Sequence, residues 1–205
     1  MELDEDSFIV RAINSFSSCR SIIIFDYDLT IARIPIDWDA AREKFRNYIA
    51  RFIPSIKFKE GLRLDEMESL VLTDNPEKYK LIYSFREKIE TEVSNNHEPI
   101  KETVNFLKVK TKRNYFVISN NLHSTVIAGL NQLSLLSSFV KVIGIDDVKS
   151  PKPSIKSLSL LGKSTNEIKN KSLFIGDSDF TDGKLCLNAK IPFINIVNKR
   201  IHINA

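Results

Sequence analysis

Five short segments of the sequence are almost continuously apolar and rich in β-branched or aromatic residues. They are residues 21–25, 115–118, 140–145, 173–175 and 193–197. A strand with one face in water alternates apolar and polar residues, whereas a strand covered on both faces, as in a parallel sheet, does not. Between these segments, residues 98–109, 124–133, 154–161 and 181–189 carry apolar residues at helical spacing. The alternation of strand and helix predicts an α/β fold with an open parallel sheet.

One long interval, from residue 34 to residue 95, contains no apolar segment of this kind. Its apolar residues recur at three- and four-residue steps, which indicates helices, and Asp37 and Asp74 are candidate helix-start residues. A further helix over residues 8–16 precedes the first strand. The sequence therefore predicts a core made of residues 1–33 and 96–205, with a small all-helical cap, residues 34–95, inserted after the first strand.

The composition restricts the class of protein further. The chain has 205 residues, of which 42% are apolar, and a formal net charge of +4 spread over well-mixed acidic and basic positions. It contains no run of Lys and Arg with interleaved aromatic residues, which argues against nucleic acid as a partner. The acidic start MELDEDSFIV, the distant cysteines Cys19 and Cys186, and the lack of an apolar run of about 20 residues predict a cytoplasmic protein with no disulfide framework and no membrane segment.

Polar side chains that are suited to handling phosphate follow four of the predicted strands. They are Asp26 and Asp28 after the first strand, Ser119 and Asn120 after the second, Lys152 after the third, and Asp177, Asp179 and Asp182 after the fourth. In open α/β sheets the ligand binds beyond the carboxyl ends of the strands. We therefore expect these side chains to meet at one edge of the sheet.

The same residues lie in four short motifs, DYDLT, VISNN, SPKP and GDSDFTD, which occur in this order between residues 26 and 182. In these motifs the chain resembles the haloacid dehalogenase superfamily, in its phosphatase branch with a helical cap. Phosphoglycolate phosphatase is similar in the position and size of the cap. The resemblance implies a Rossmann-like parallel sheet with helices on both faces and a helical cap after the first strand.

The resemblance also implies a role for each motif residue. Asp26 would be the nucleophile that forms an aspartyl phosphate, and Asp28 would be the general acid and base. Ser119 would hydrogen-bond a phosphoryl oxygen, and Lys152 would hold the nucleophile and neutralise the charge that builds during transfer. The candidate substrate-binding residues are Thr30, Ser119, Asn120 and Lys152.

A magnesium site is part of the same resemblance. Asp26, Asp177 and the backbone carbonyl of Asp28 would bind Mg²⁺, a cation that prefers oxygen ligands, and Asp182 would complete the metal site. The sequence leaves two choices open, namely Asp179 or Asp182 as the second acid, and Lys149, Lys152 or Lys156 as the lysine.

The predicted function is a Mg²⁺-dependent phosphatase that hydrolyses a small phosphorylated metabolite. The motifs also fit a phosphomutase, which passes the phosphoryl group to a sugar hydroxyl, and a phosphate-binding module without turnover. Selectivity in this family lies in the cap, so the sequence leaves the substrate open, and it leaves the oligomeric state open as well. Within the predicted cap, Trp38 is either a core anchor or a platform for substrate, and Arg33 and Arg42 either reach a substrate anion or are solvated.

Overall fold

The computed structural model of the protein describes residues 7–16, 20–93, 96–109 and 113–203, and Cys19 lies outside these ranges. In chain order the helices are α1 Phe8–Ser15, α2 Trp38–Ala50, α3 Leu64–Asp74, α4 Tyr79–Thr91, α5 Lys101–Lys108, α6 His123–Gln132, α7 Ile145–Val148, α8 Lys156–Ser159, α9 Thr165–Lys171 and α10 Lys184–Ala189. The strands are β1 Ile22–Phe25, β2 Ala32–Arg33, β3 Glu98–Pro99, β4 Asn114–Ile118, β5 Phe139–Ile143, β6 Ser172–Gly176, β7 Phe193–Asn195 and β8 Arg200–His202. Short 3₁₀ helices span Pro76–Lys78 and Leu136–Ser138, and a π-helical turn spans Asp179–Gly183. Within the described ranges, no helix is long and apolar enough to cross a membrane.

Six of the strands form one sheet in the order β5-β4-β1-β6-β7-β8. The first five strands of this order are parallel, and β8 is antiparallel to β7. The predicted α/β fold with a mostly parallel sheet is therefore confirmed. β1 lies between two neighbours, since Ile24 pairs with Phe116 of β4 and with Phe174 of β6. The carboxyl end of β1 consequently opens between two other strand ends.

The residues of β1 are buried on both faces of the sheet. Ile23 and Phe25 belong to a core cluster that includes residues of α1, α5 and α6, whereas Ile22 and Ile24 belong to a second cluster with residues of α8, α9 and α10. All four side chains are at most 3% exposed. Full burial of an Ile or Phe side chain contributes about 1.5–3 kcal/mol to stability, so both faces of this strand favour apolar residues. This burial explains why the sequence shows no polar alternation there.

Two strands end earlier than the sequence predicts. β5 ends at Ile143 because Gly144 turns the chain into α7, and its N–H donates to Asp147 Oδ2 at 2.8 Å. β7 ends at Asn195 because its Oδ1 accepts hydrogen bonds from the N–H groups of the residues two and three positions later. This turn leads into β8, an edge strand of three residues that is too short to give a sequence signal.

The interval after β1 folds into α2, α3 and α4, which share an apolar cluster of their own. The cluster includes Phe45, Ile49, Met67, Val71, Ile82 and Phe85. Asp37 begins α2 as predicted, because its side chain accepts hydrogen bonds from two N–H groups of the first helical turn. The prediction for Asp74 is wrong. Asp74 is the last residue of α3, and the next helical turn begins at Pro76, where proline needs no N–H partner.

The antiparallel pair β2–β3 flanks the helical interval and holds its two ends together. Nearby, the Tyr27 hydroxyl and His97 Nδ1 form a buried hydrogen bond of 2.5 Å. The side chain of Gln132 hydrogen-bonds both the N–H and the C=O of His97. Gly129 of α6 packs so closely against this pair that a Cβ atom would overlap the Tyr27 oxygen and the His97 ring. The pair therefore fixes the returning chain against the core.

We expect Gly129→Ala to destabilise the protein by about 1–3 kcal/mol, because the added methyl group has to displace the buried Tyr27–His97 pair. Urea unfolding followed by circular dichroism measures the change. Gly183→Ala is the matched control, since a Cβ atom there would meet Phe193 at 3.4 Å, an ordinary contact distance. A Gly129→Ala protein as stable as the Gly183→Ala protein would contradict the packing argument.

Candidate active site

The carboxyl ends of β1, β4 and β6 bring Asp26, Ser119 and Asp177 to one edge of the sheet. The backbone connects two of these ends, because the Asp26 N–H donates to the carbonyl of Ile175 at 2.8 Å. Three carboxylates from the β1 and β6 ends form an acidic cluster, defined here as Asp26, Asp177 and Asp182, with oxygen atoms within 4.8 Å of one another. Of the strand-end carboxylates that the sequence expects at one edge, the structure brings these three together.

A buried lysine joins two of the carboxylates in the acidic cluster. Lys152 Nζ donates to Asp26 Oδ1 and to Asp182 Oδ1, each at 2.6 Å, and its side chain is 4% exposed. Burial alone would lower the pKa of Lys152, but the charges of Asp182 and Asp26 raise it above the usual value. The ammonium group therefore stays charged between the two carboxylates.

The rival residues for the second acid and for the lysine lie elsewhere. Asp179 Oδ1 accepts a hydrogen bond from Asn195 Nδ2 at 2.7 Å. Lys149 Nζ lies 4.6 Å from the centre of a tyrosine ring of α4. Lys156 is exposed at the start of α8. Among the residues that the structure describes, none of these three belongs to the acidic cluster or to the hydrogen bonds that Lys152 makes with it.

The π-helical turn Asp179–Gly183 brings Asp182 into the acidic cluster. Ser178 caps this turn with its hydroxyl, and its N–H donates to Asp182 Oδ2 at 3.3 Å. Gly176 leaves the space that the carboxylate needs, because a Cβ atom there would overlap the Asp182 side chain. The five-residue step from Asp177 to Asp182 follows from the wider turn of a π-helix.

Asp28 lies beside the acidic cluster with both carboxylate oxygens engaged. Oδ1 accepts the backbone N–H of Ile34 at 2.8 Å, and Oδ2 accepts the Nε1–H of Trp38 at 3.0 Å. Burial, together with the charge of Asp26, raises the pKa of Asp28 to about 6. A carboxyl group with this pKa is able to donate and to accept a proton near neutral pH.

The loop after β4 carries Ser119 and Asn120. The Ser119 hydroxyl donates to Asn121 Oδ1 at 3.0 Å and accepts the Asn121 N–H at 3.1 Å. Asn120 Oδ1 accepts the backbone N–H of Lys152 at 2.7 Å and so connects the loop after β4 to the segment that carries Lys152. Thr30, which the sequence predicts to bind substrate, is fully buried and lies behind the surface of the site rather than on it.

A cavity of about 270 Å³ opens over the acidic cluster. On the core side it is lined by Asp26, Asp28, Asn120, Asn121, Lys152 and Asp177, and on the side of the helical interval by Trp38, Arg42, Arg63, Leu64, Asp65 and Arg86. Sequence reasoning considered Trp38 and Arg42 but missed Arg63, Asp65 and Arg86. Helical spacing shows that a face is apolar, yet it does not show which polar neighbours turn toward a cavity. Ser119 and Asp182 do not line the cavity.

Side chains from the helical interval contact the strand-end loops. Arg63 Nη1 donates to Ser178 Oγ at 3.2 Å, beside the acidic cluster. Asp65 Oδ2 accepts a weak hydrogen bond from Asn120 Nδ2 at 3.4 Å. Residues of the helical interval therefore line one side of the cavity and touch the loops after β4 and β6.

The acidic cluster fits a hard divalent cation. Its donors are carboxylate oxygens, which are the ligands that Mg²⁺ prefers in proteins. Burial, followed by the charges of Asp26 and Asp182, raises the pKa of Asp177 to about 8. Carboxylates held this close favour protonation when no counter-charge is nearby, and a bound cation removes that electrostatic cost. The side chains present are therefore suited to hold such an ion.

An open parallel sheet that gathers carboxylates and a lysine at its strand ends defines an α/β protein with its polar site at the carboxyl edge of the sheet. The chain belongs to the haloacid dehalogenase-like hydrolase family, whose sequence model matches residues 23–196. The family resemblance indicated by the four motifs is thus confirmed.

Solved structures share this fold, and their names assign the activity only provisionally. A phosphoglycolate phosphatase from Lactobacillus plantarum aligns with a TM-score of 0.60 and 14% identity, over 89% of this chain and 93% of that chain. A haloacid dehalogenase-like hydrolase from Bacteroides fragilis aligns with a TM-score of 0.57 and 21% identity, over 85% and 86%. A hydrolase of the same superfamily from Bacillus subtilis, bound to magnesium, aligns with a TM-score of 0.51 and 17% identity, over 85% and 87%. No curated protein gives a significant match to the sequence.

Proposed function

We propose that the protein is a Mg²⁺-dependent phosphatase that hydrolyses a small phosphorylated metabolite through an aspartyl phosphate on Asp26. The observation that carries this proposal is the position of Lys152, whose ammonium group bonds Asp26 and Asp182 next to Asp177 at the cavity. Transfer of an anionic phosphoryl group needs a nucleophile, a fixed cation and metal-binding oxygens in one place. Asp26, Lys152 and the carboxylate oxygens of the acidic cluster would supply these three groups.

In the first half-reaction, a carboxylate oxygen of Asp26 attacks phosphorus, and the bond between phosphorus and the leaving oxygen breaks. Asp28 gives its proton to that oxygen, so the product leaves as an alcohol. The raised pKa of Asp28, about 6, suits this role because part of the population carries the proton near neutral pH. Lys152 would stabilise the negative charge on the phosphoryl oxygens, and the Ser119 hydroxyl would join it by exchanging its hydrogen bond to Asn121 for one to a phosphoryl oxygen.

In the second half-reaction, water attacks the phosphorus of the aspartyl phosphate. Asp28, now ionised, accepts a proton from this water, and the bond between Asp26 and phosphorus breaks to release inorganic phosphate. The hydrogen bonds from Ile34 and Trp38 keep the Asp28 carboxylate in place between the two steps. The same side chain therefore serves as the acid and then as the base.

Asp26, Asp177 and the backbone carbonyl of Asp28 would hold the Mg²⁺ ion. When bound, the cation offsets the negative charge shared by the substrate phosphate and the surrounding carboxylates. Asp182 would stabilise this site without lining the cavity, because Lys152 and the N–H of Ser178 hold its oxygens in place.

We also propose that residues 34–95 act as a cap unit over the site. The apolar cluster shared by α2, α3 and α4 supports this division, as does the passage of the chain through β2–β3 on both sides of the interval. The cavity volume of about 270 Å³ lies below the roughly 300–1,000 Å³ of pockets for drug-sized ligands, which favours a small metabolite. Arg42 and Arg63 in the cap wall favour an anionic substrate. A molecule of the size of the phosphoglycolate named for one structural relative fits these limits.

Phosphate release tests the proposed function. With Mg²⁺, the purified protein should release phosphate from p-nitrophenyl phosphate and from a member of a panel of phosphorylated metabolites. EDTA should reduce the rate to background, and excess Mg²⁺ should restore it, because the acidic cluster repels the phosphate without a cation. Isomerised sugar phosphate without phosphate release would indicate a phosphomutase, and tight binding without turnover would indicate a phosphate-binding module. Either result would contradict the proposal.

A further inference from the structure

Trp38, the only tryptophan in the sequence, holds one oxygen of the Asp28 carboxyl group. Its indole Nε1–H donates to Oδ2 at 3.0 Å, while the backbone N–H of Ile34 donates to Oδ1 at 2.8 Å. Because the two donors bind different oxygens, together they fix the position of the carboxyl group and its rotation about the Cβ–Cγ bond. The donor on the cavity side is the side chain of Trp38, the first residue of α2.

The indole ring of Trp38 is itself held by a buried cation. The Arg86 guanidinium lies 5.4 Å from the ring centre, within the range of a cation–π contact. Arg86 is fixed by two hydrogen bonds to Glu68, at 2.7 and 2.9 Å, and by one to Glu90 at 3.3 Å. These three charged side chains are at most 4% exposed. The orientation of the indole therefore depends on a rigid ion-pair group.

Glu90 connects this ion-pair group to the core. Its carboxylate accepts the N–H of Leu122 at 2.9 Å and the Nδ2–H of Asn121 at 3.3 Å. Asn121 in turn hydrogen-bonds Ser119. A continuous series of contacts thus runs from the end of β1, through α2 and α4, to the end of β4. Trp38 is placed against Asp28 by residues of both the helical interval and the core.

We propose that Trp38 is a positioning residue for Asp28, whose indole N–H directs the carboxyl group toward the leaving oxygen. The inference rests on the proposed function, in which Asp28 transfers the proton. Without this donor, the Asp28 carboxyl group is held through one oxygen and is free to rotate. A displacement of about 1 Å in a reacting group is enough to reduce a rate by roughly 100-fold. In the first half-reaction, loss of the indole N–H should therefore slow only those esters whose leaving group requires a proton.

Two phosphate esters separate proton transfer from phosphoryl transfer. p-Nitrophenyl phosphate releases a stable phenolate that needs little help from an acid, whereas an alkyl phosphate releases an alkoxide that has to be protonated. The alkyl probe is glycerol 3-phosphate, or the alkyl phosphate of the metabolite panel that the parent hydrolyses fastest. We expect Trp38→Phe to lower kcat/KM for the alkyl ester by roughly 10- to 100-fold and kcat/KM for p-nitrophenyl phosphate by less than about threefold. The ratio kcat/KM is compared because it reports the first half-reaction alone, before Asp28 acts as the base in hydrolysis of the aspartyl phosphate.

Three further proteins separate positioning from packing. Tyr48→Phe removes a hydroxyl group from the same helix, outside the cavity, and should change neither rate. Biosynthetic replacement of tryptophan by β-(3-benzothienyl)alanine alters Trp38 alone, keeps the shape of the ring and exchanges its N–H for sulfur. It should reproduce the loss seen for the alkyl ester even where Trp38→Phe disturbs folding. In an Asp28→Asn background, Trp38→Phe should cause no further loss, since the proton donor is already absent.

The possible outcomes distinguish this inference from the proposed function. An equal loss of kcat/KM on both esters, or a loss on neither, would overturn the positioning role of Trp38 while the parent still acts as a phosphatase. An additive loss in the Asp28→Asn background would overturn it as well. Absence of phosphate release by the parent on every ester would overturn the proposed function itself, and the inference with it.

Discussion

Asp26→Asn should abolish phosphate release, with kcat lowered by roughly four orders of magnitude or more, as expected when an enzyme loses its nucleophile. The amide has nearly the shape of the carboxylate, so the fold should persist, but it does not attack phosphorus. Steady-state phosphate release with Mg²⁺ measures the loss. Trapping gives a second measurement: the parent protein, quenched during turnover of ³²P-labelled substrate, should carry label that hydroxylamine removes, and the variant should carry none.

Asp179→Asn is the matched control for Asp26→Asn. It makes the same chemical change near the acidic cluster, but Asp179 Oδ1 contacts Asn195 instead of the cluster. Its rate should stay within about threefold of the parent rate, because asparagine keeps the Oδ1 acceptor for Asn195 and the position lies on the surface outside the acidic cluster. An equal loss in the two variants, or substantial turnover by Asp26→Asn, would contradict the assignment of the nucleophile.

The sheet was predictable from the sequence because its signal is local. The apolar run of Ile22 to Phe25 is buried on both faces, and a strand of this kind has to be apolar at every position. β8 and the 165–171 helix were not predicted. β8 depends on pairing with β7, and α9 depends on the capping box formed by Ser164 and Glu167, which helical periodicity does not detect. Short elements of this kind are determined by strand pairing and by capping side chains, and not by apolar periodicity.

The convergence of strand-end residues was predictable for a geometric reason. Parallel strands place all their carboxyl ends at one edge, so Asp26, Lys152 and Asp177 meet although they lie far apart in the sequence. The choice between Asp179 and Asp182 was not predictable, since it depends on the register of a π-helical turn. The contacts made by Trp38 were not predictable either, because they require the orientation of α2 relative to β1.

The buried group Glu68, Arg86 and Glu90 illustrates what sequence patterns leave out. Two carboxylates share one guanidinium, and all three side chains are almost completely buried. Lys, Glu and Arg are rarely buried unless paired, so periodicity places such residues on the exposed face of a helix. Here the group connects α3 and α4 and reaches the loop after β4 through Glu90. Its stability depends on the single cation at its centre.

Arg86→Met should destabilise the protein by about 3–5 kcal/mol, because it leaves two buried carboxylates without their counter-charge. Methionine keeps much of the apolar length of the side chain, so the loss reflects charge more than volume. Urea unfolding at neutral pH measures the difference. Arg46→Met is the matched control: Arg46 donates to the carbonyls of Phe58 and Lys59 near the surface, and its loss should cost about 1 kcal/mol or less.

The destabilisation by Arg86→Met should also depend on pH in a defined direction. Burial raises the pKa of Glu68 and of Glu90, whereas the charge of Arg86 lowers both, so removal of Arg86 raises the two pKa values further. The folded variant then binds protons that the unfolded chain, with glutamate pKa values near 4.3, has released. Its stability should therefore fall, relative to that of the parent, as the pH rises above about 4, and it should recover in part as the pH is lowered. A loss that is the same at pH 5 and at pH 7.5, or no larger than that of Arg46→Met, would show that the cation does not compensate the buried carboxylates.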